Sequence, residues 1–173
     1  MEPQAEVTCQ IGGQPFRLVQ LHFHTPSEHA VSGRHAAMEA HLVHRSPDTG
    51  ALAVLAVLIH PDGPVNASLG TILESAPQQP GSPPTPLRRP INLLSLLPRP
   101  SSIDGRRAYA RYRGSLTTPP CSEGVQWYVF LEPLKVAADQ ILEFQWFAGN
   151  QVTLGSNARP IQPLGDRQLA VYT

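Results

Sequence analysis

The residues able to do chemistry stand in two short runs. Gln20-Leu21-His22-Phe23-His24 sets two histidines one residue apart, and Glu39-Ala40-His41 sets a third two residues beyond a carboxylate. In an extended strand, side chains at i and i+2 share a face. His22 and His24 then project to one side and Phe23 to the other. Glu39, His41 and Val43 share one face of a second strand. If the two strands pair antiparallel, three imidazoles converge. Three neutral nitrogens around an open fourth position form the arrangement of a catalytic zinc site. Gln20 lies two residues before His22 and Glu39 two before His41, each placed to accept a ligand's second ring N–H. A lone strand histidine is ordinarily a half-buried residue with a common partner. The repeated spacing is what turns the reading toward metal.

The elements that must position these residues are mostly strands. Gly12-Gly13 predicts a hairpin turn between Glu6–Ile11 and Pro15–His24. A loop is expected over Thr25–Arg34, the second histidine strand over Ala37–His44, and a tight turn at Asp48-Thr49-Gly50. Leu52–Ile59 is almost unbroken apolar sequence, the mark of a central buried strand. Tyr109–Ser115 and Val125–Leu131 also read as strands. Leu69–Ser75 predicts a short helix. Ala137–Phe147 predicts a longer one, with Ile141, Leu142 and Phe144 as its apolar set. Residues 77–90 are proline-rich and read as a surface loop. The run Asn157–Leu164 has no period and is expected to be irregular.

Composition narrows the function classes. The chain has 173 residues, equal numbers of acidic and basic groups, 19 prolines and two cysteines. That length suits a single domain, 1–173, with its own core. A net charge of +0 and the lack of any basic stripe argue against nucleic acid. No apolar run is long enough for a spanning helix, so no membrane partner is expected. The first residues show neither the basic nor the apolar region of a signal peptide. Cys9 and Cys121 lack zinc-ligand spacing.

Two further chemistries fit parts of the sequence. His22-Phe23-His24-Thr25-Pro26-Ser27-Glu28 resembles the first metal motif of the cupins, in which the glutamate is itself a ligand for iron or manganese. The cupin's second motif has no counterpart after His60. A serine hydrolase would need Gly-x-Ser-x-Gly, which is missing.

Gly114-Ser115-Leu116-Thr117-Thr118-Pro119-Pro120-Cys121 decides among them. Together with the histidine runs, Ser27-Glu28-His29, and Arg159-Pro160-Ile161-Gln162-Pro163-Leu164, it closely resembles the α-class carbonic anhydrases of bacterial type. Five separated motifs occur in the family's order, over Val7 to Val171. The resemblance implies a mostly β fold with few short helices around a central, largely antiparallel sheet. The family's N-terminal segment has no match here, so the sheet is expected to be incomplete on that side. It implies Zn2+ held by His22, His24 and His41, with Gln20 and Glu39 orienting the ligands. Thr117 and Glu28 resemble the pair that orients zinc-bound hydroxide. Val43, Val54, Leu116, Val125 and Trp127 match the apolar wall that receives carbon dioxide. The Thr117 N–H and Thr118 match the pocket floor. Reversible hydration of carbon dioxide to bicarbonate is the implied reaction, with sulfonamides or anions as inhibitors and a periplasmic or secreted location. None of His29, His35, His44 or His60 matches the family's proton-shuttle position. An alternative is a truncated, weakly active or inactive relative that only binds zinc or partners. Exposed sheet edges would also offer a surface for a homodimer.

Overall fold

The histidine strands pair as their alternation demands. In the computed structural model, which describes residues 6–76, 85–149 and 155–173, β1 (Thr8–Ile11) and β2 (Gln14–His24) form the expected hairpin. Gly12 and Gly13 both take positive φ, 58° and 77°, the combination a two-residue hairpin turn requires. The loop after β2 carries a small hairpin of β3 (Ala30–Val31) and β4 (Arg34–His35). The chain then returns as β5 (Met38–Arg45), antiparallel to β2, with His22 opposite His41 and His24 opposite Glu39.

From β5 the sheet grows inward. β6 (Leu52–His60) pairs antiparallel with β5 and parallel with β8 (Glu123–Lys135), while β7 (Tyr109–Ser115) lies antiparallel to β8. The parallel step needs a long crossover; it contains α1 (Ala67–Glu74) and a 3-10 turn at Leu93–Leu96. A last strand, β9 (Ala170–Tyr172), follows α2 (Ala138–Ala148). The order β1-β2-β5-β6-β8-β7-β9 puts β6 fourth of seven, as its apolar run predicts. The sheet is largely antiparallel with one parallel pair, and the chain is mostly β with two helices.

Each face of the sheet has its own core. Met38, Ala40 and Leu42 of β5 pack with Leu69 and Leu73 of α1 and Ile141 of α2. Their neighbours Glu39, His41 and Val43 face the other way, where Val43 packs with Val54, Val125 and Trp127. Both faces of β5 are therefore buried, and a metal site can sit against a rigid floor.

Some expectations need correction. Leu142 does not belong to the apolar set of α2: it is 48% exposed, while Phe144 and Phe147 pack on the core with Ile141. β8 begins two residues earlier than Val125–Leu131 and ends four later. β9 and the 3-10 turn were not anticipated, because three or four residues carry no readable period. Residues 77–84 of the proline-rich stretch lie outside the described residues. Among the described residues no helix is long and apolar enough to cross a membrane.

Candidate metal centre

Pairing of β2 with β5 brings the three imidazoles together. Ring centroids lie 4.9 Å apart for His22 and His24, 5.1 Å for His22 and His41, and 4.6 Å for His24 and His41. One nitrogen from each lies within 4.8 Å of the others. Burial disfavours charge on this cluster. It lowers His22 to about 4, helped by the neighbouring His41 and His24 and opposed by Glu39. His24 is lowered for the same reasons. His22 is therefore neutral at pH 7, the form a metal needs.

Outer partners determine which nitrogens are left over. His24 Nδ1 donates to the carbonyl of Asn157 at 3.3 Å, and His24 Nε2 is buried with no partner. His41 Nε2 donates to Glu39 Oε1 at 2.9 Å, which leaves Nδ1 for another role. His22 Nδ1 is also buried and unpartnered. Gln20 lines a cavity with His22, yet no hydrogen bond joins them. Two unsatisfied buried ring nitrogens, His22 Nδ1 and His24 Nε2, converging beside His41 are costly by themselves. They fit a divalent cation of zinc's preference for imidazole.

Glu39 ties this cluster to a network not anticipated from sequence. Its carboxylate is fully buried. It accepts from the His29 backbone N–H at 2.8 Å, from His29 Nδ1 at 2.5 Å and from His41 Nε2. Burial alone would raise its pKa, but the bonds from His29 and His41 pull it well below the usual carboxylate range. His29 Nε2 in turn meets the Tyr112 hydroxyl at 2.6 Å, and burial pushes that phenol up. A chain Tyr112–His29–Glu39–His41 thus holds the ring of His41. The one sequence hint for His29 was its place directly after Glu28; Tyr112 and the Asn157 carbonyl offered none.

The remaining predicted residues gather on two sides. Gln20, His22, His41, Val43, Val54, Leu116, Thr117, Thr118 and Trp127 line one cavity of about 150 Å³. Val125 is fully buried behind it, packed with Val43, Val54 and Trp127. Val19, Arg45 and Leu52 join the lining unpredicted. Thr117 also lines a second cavity, with Glu28, His29 and Tyr112. The Glu28 side chain is 5% exposed. Its Oε1 accepts the Arg159 backbone N–H at 2.8 Å. Its Oε2 has no hydrogen bond, so the expected bond from Thr117 is not formed here. Cys9 and Cys121 are both free thiols.

Comparison with known proteins agrees with this geometry. The family described as eukaryotic-type carbonic anhydrase matches residues 2–173. The chain is 41% identical over 160 residues to a carbonic anhydrase of Klebsiella pneumoniae, a match covering 92% of this chain and 59% of the relative. It is 36% identical over 180 residues to carbonic anhydrase 4 of Mus musculus, covering 93% and 58%. The chain thus spans about three fifths of the length of these curated relatives. Among solved structures it is similar to carbonic anhydrase Cah3 from Chlamydomonas reinhardtii in complex with acetazolamide. That match has a TM-score of 0.91 and 47% identity, over 96% of this chain and 70% of that one. An alpha-carbonic anhydrase from Thermovibrio ammonificans with the inhibitor sulfanilamide gives a TM-score of 0.81 and 41% identity, over 92% and 65%. These matches leave the cupin and serine hydrolase readings without support. A histidine cluster built by two paired strands, and likeness running the length of the chain, lead to one conclusion: the chain belongs to the α-class, or eukaryotic-type, carbonic anhydrase family.

Proposed function

We propose that this chain is a zinc-dependent carbonate dehydratase that converts carbon dioxide and water reversibly to bicarbonate and a proton. The observation that carries the reading is the convergence of His22, His24 and His41, with His24 Nε2 buried and unpartnered, beside a small apolar-walled cavity. Zinc held by these rings supplies the Lewis acidity that makes water a nucleophile near neutral pH, a property for which this family is itself the standard example.

The chain's own residues do the rest. Glu39 and the Asn157 carbonyl hold His41 and His24 in orientation, and Gln20 stands ready to do so for His22. The Thr117 hydroxyl accepts the proton of the attacking oxygen and donates its own to Glu28. Glu28 Oε2 is suited to receive it, since it is buried and has no hydrogen bond, with His41 Nδ1 3.9 Å away. That geometry leaves a lone pair of the nucleophile free for carbon dioxide. Val43, Val54, Leu116, Val125 and Trp127 give the uncharged substrate an apolar wall. The Thr117 N–H and Thr118 meet a substrate oxygen or the head of an anionic or sulfonamide inhibitor. By the same resemblance we propose a periplasmic or secreted location.

Zinc analysis with stopped-flow carbon dioxide hydration tests the reading. One zinc per chain is expected, with measurable hydration. His41→Ala should lose the metal, and Glu28→Gln should keep it. Loss of metal from the Glu28 variant as complete as from the His41 variant would make Glu28 a ligand and overturn the assignment. Full zinc without hydration would favour the second reading, a zinc-binding relative lacking activity.

A further inference from the structure

Alternation carries β5 one step past the residues already assigned. Glu39, His41 and Val43 share the face that holds the imidazole cluster, and Arg45 is the next residue on it. Arg45 lines the cavity of about 150 Å³ together with His22, His41, Thr117 and Thr118. Among the described residues no carboxylate and no other Lys or Arg lines that cavity. The strand register puts Arg17 of β2 directly opposite Arg45. Two like charges side by side on a strand pair are locally unfavourable. Arg17 is drawn to Glu6, its Nη1 donating to Oε1 at 2.9 Å, and is not part of the cavity lining. Arg45 is the member of the pair that faces the reaction site. A local rule broken beside such a site points to a use there.

The use follows from the charges of the two carbon species, and it rests on the function proposed above. Carbon dioxide is neutral, and an apolar wall suffices for it. Bicarbonate is an anion, and in the reverse direction it must enter the same cavity from water. A cleft with low-dielectric walls and one sign of charge at its rim focuses the field and raises the local concentration of the opposite ion. Val43, Val54, Leu116 and Trp127 are such walls.

We propose that Arg45 is a specificity-determining residue for the anionic reactant, drawing bicarbonate and the small anions that compete with it into the cavity. Arg45 is exposed, so its guanidinium stays hydrated. The attraction is therefore weak enough for bicarbonate to leave again.

The test titrates the 173-residue protein, loaded with cobalt in place of zinc, with bicarbonate and with thiocyanate. The cobalt absorption bands report anion binding without any turnover. Arg45→Gln should take up cobalt as fully as the unsubstituted protein and bind both anions roughly three- to tenfold more weakly, the scale of one charge several ångströms away in a high effective dielectric. Arg45→Lys should restore most of the affinity, because a point charge suffices. The gap between the unsubstituted protein and Arg45→Gln should close near 1 M ionic strength, where the screening length is about 3 Å. Arg99→Gln changes the net charge equally but lies in a separate cavity, and it should bind anions as the unsubstituted protein does. Equal anion affinity with and without Arg45 overturns the proposal. So does an equal loss in Arg99→Gln, which would make net charge the cause. Failure of the functional reading looks different: a protein that takes up no cobalt, or whose cobalt bands no anion moves, lacks the centre itself, and the proposal falls with it.

Discussion

Burying a carboxylate without partners costs several kcal/mol, and the usual outcome is that it takes up a proton. Glu39 avoids this because His29 donates to it twice and His41 once. Its charge then fixes the proton of His41 on Nε2, leaving Nδ1 as the open nitrogen. Glu39→Gln replaces that acceptor with an amide that can present its NH2 group instead. Zinc affinity should fall about 10–100-fold, the usual scale for losing a partner behind a metal ligand. Competition with a chelator measures it, and an unchanged affinity would show that His41 is oriented by packing alone. Thr117 touches no metal ligand in the proposed scheme. Thr117→Ala should therefore keep its zinc and hydrate carbon dioxide roughly 10²-fold more slowly, the scale of one preorganised polar contact at the reacting centre. Undiminished turnover would remove Thr117 from the mechanism.

At the scale of elements, the end of β7 decides where Leu116 and Thr117 stand. The register with β8 slips between Gly114 and Ser115, and the Trp127 indole N–H pins the Ser115 carbonyl at 3.1 Å. Gly114 passes between two rings. A Cβ there would lie 2.8 Å from Tyr112 and 3.0 Å from Trp127. Both rings are fixed, Trp127 by burial and Tyr112 by its bond to His29. Gly114→Ala should destabilise the protein by about 1–3 kcal/mol, the cost of overpacking a filled site. It should also slow hydration by displacing the 115–117 segment. Urea unfolding checks the first effect; a change of only a few tenths of a kcal/mol would mean the rings move aside freely.

For the molecule as a whole, the imidazole cluster links stability to pH. His22 falls from 6.5 to about 4 on folding, mainly through burial and then through its imidazole neighbours. His24 moves the same way, and His44 is lowered by burial against the bond it gives the Leu42 carbonyl. The folded values lie below the unfolded one, so between them the unfolded chain binds more protons. Stability is therefore full above about 6.5 and is lost as pH falls toward 4. Urea titrations of the metal-free protein across that interval should show a falling midpoint. Zinc should hold the midpoint up to lower pH, because bound metal competes with the protons. A flat profile for the metal-free chain would mean that the rings are hydrated rather than packed together.

The amino-acid sequence by itself determined which way the key side chains face. Period-two alternation is a local property, so His22 with His24, and Glu39 with His41, were legible as shared faces before any pairing was known. The apolar run of β6, the glycine hairpin and the strand at Tyr109–Ser115 were legible for the same reason. Only tertiary structure decided what stands behind those faces. Tyr112 meets His29 across 83 residues, and the Asn157 carbonyl meets His24 across 133. A backbone carbonyl has no signature in a sequence, and a hydroxyl's partner depends on which strands the sheet brings together. The exposure of Leu142 was hidden for that same reason. Burial and charge compensation belong to the packed chain, whereas alternation belongs to a few consecutive residues.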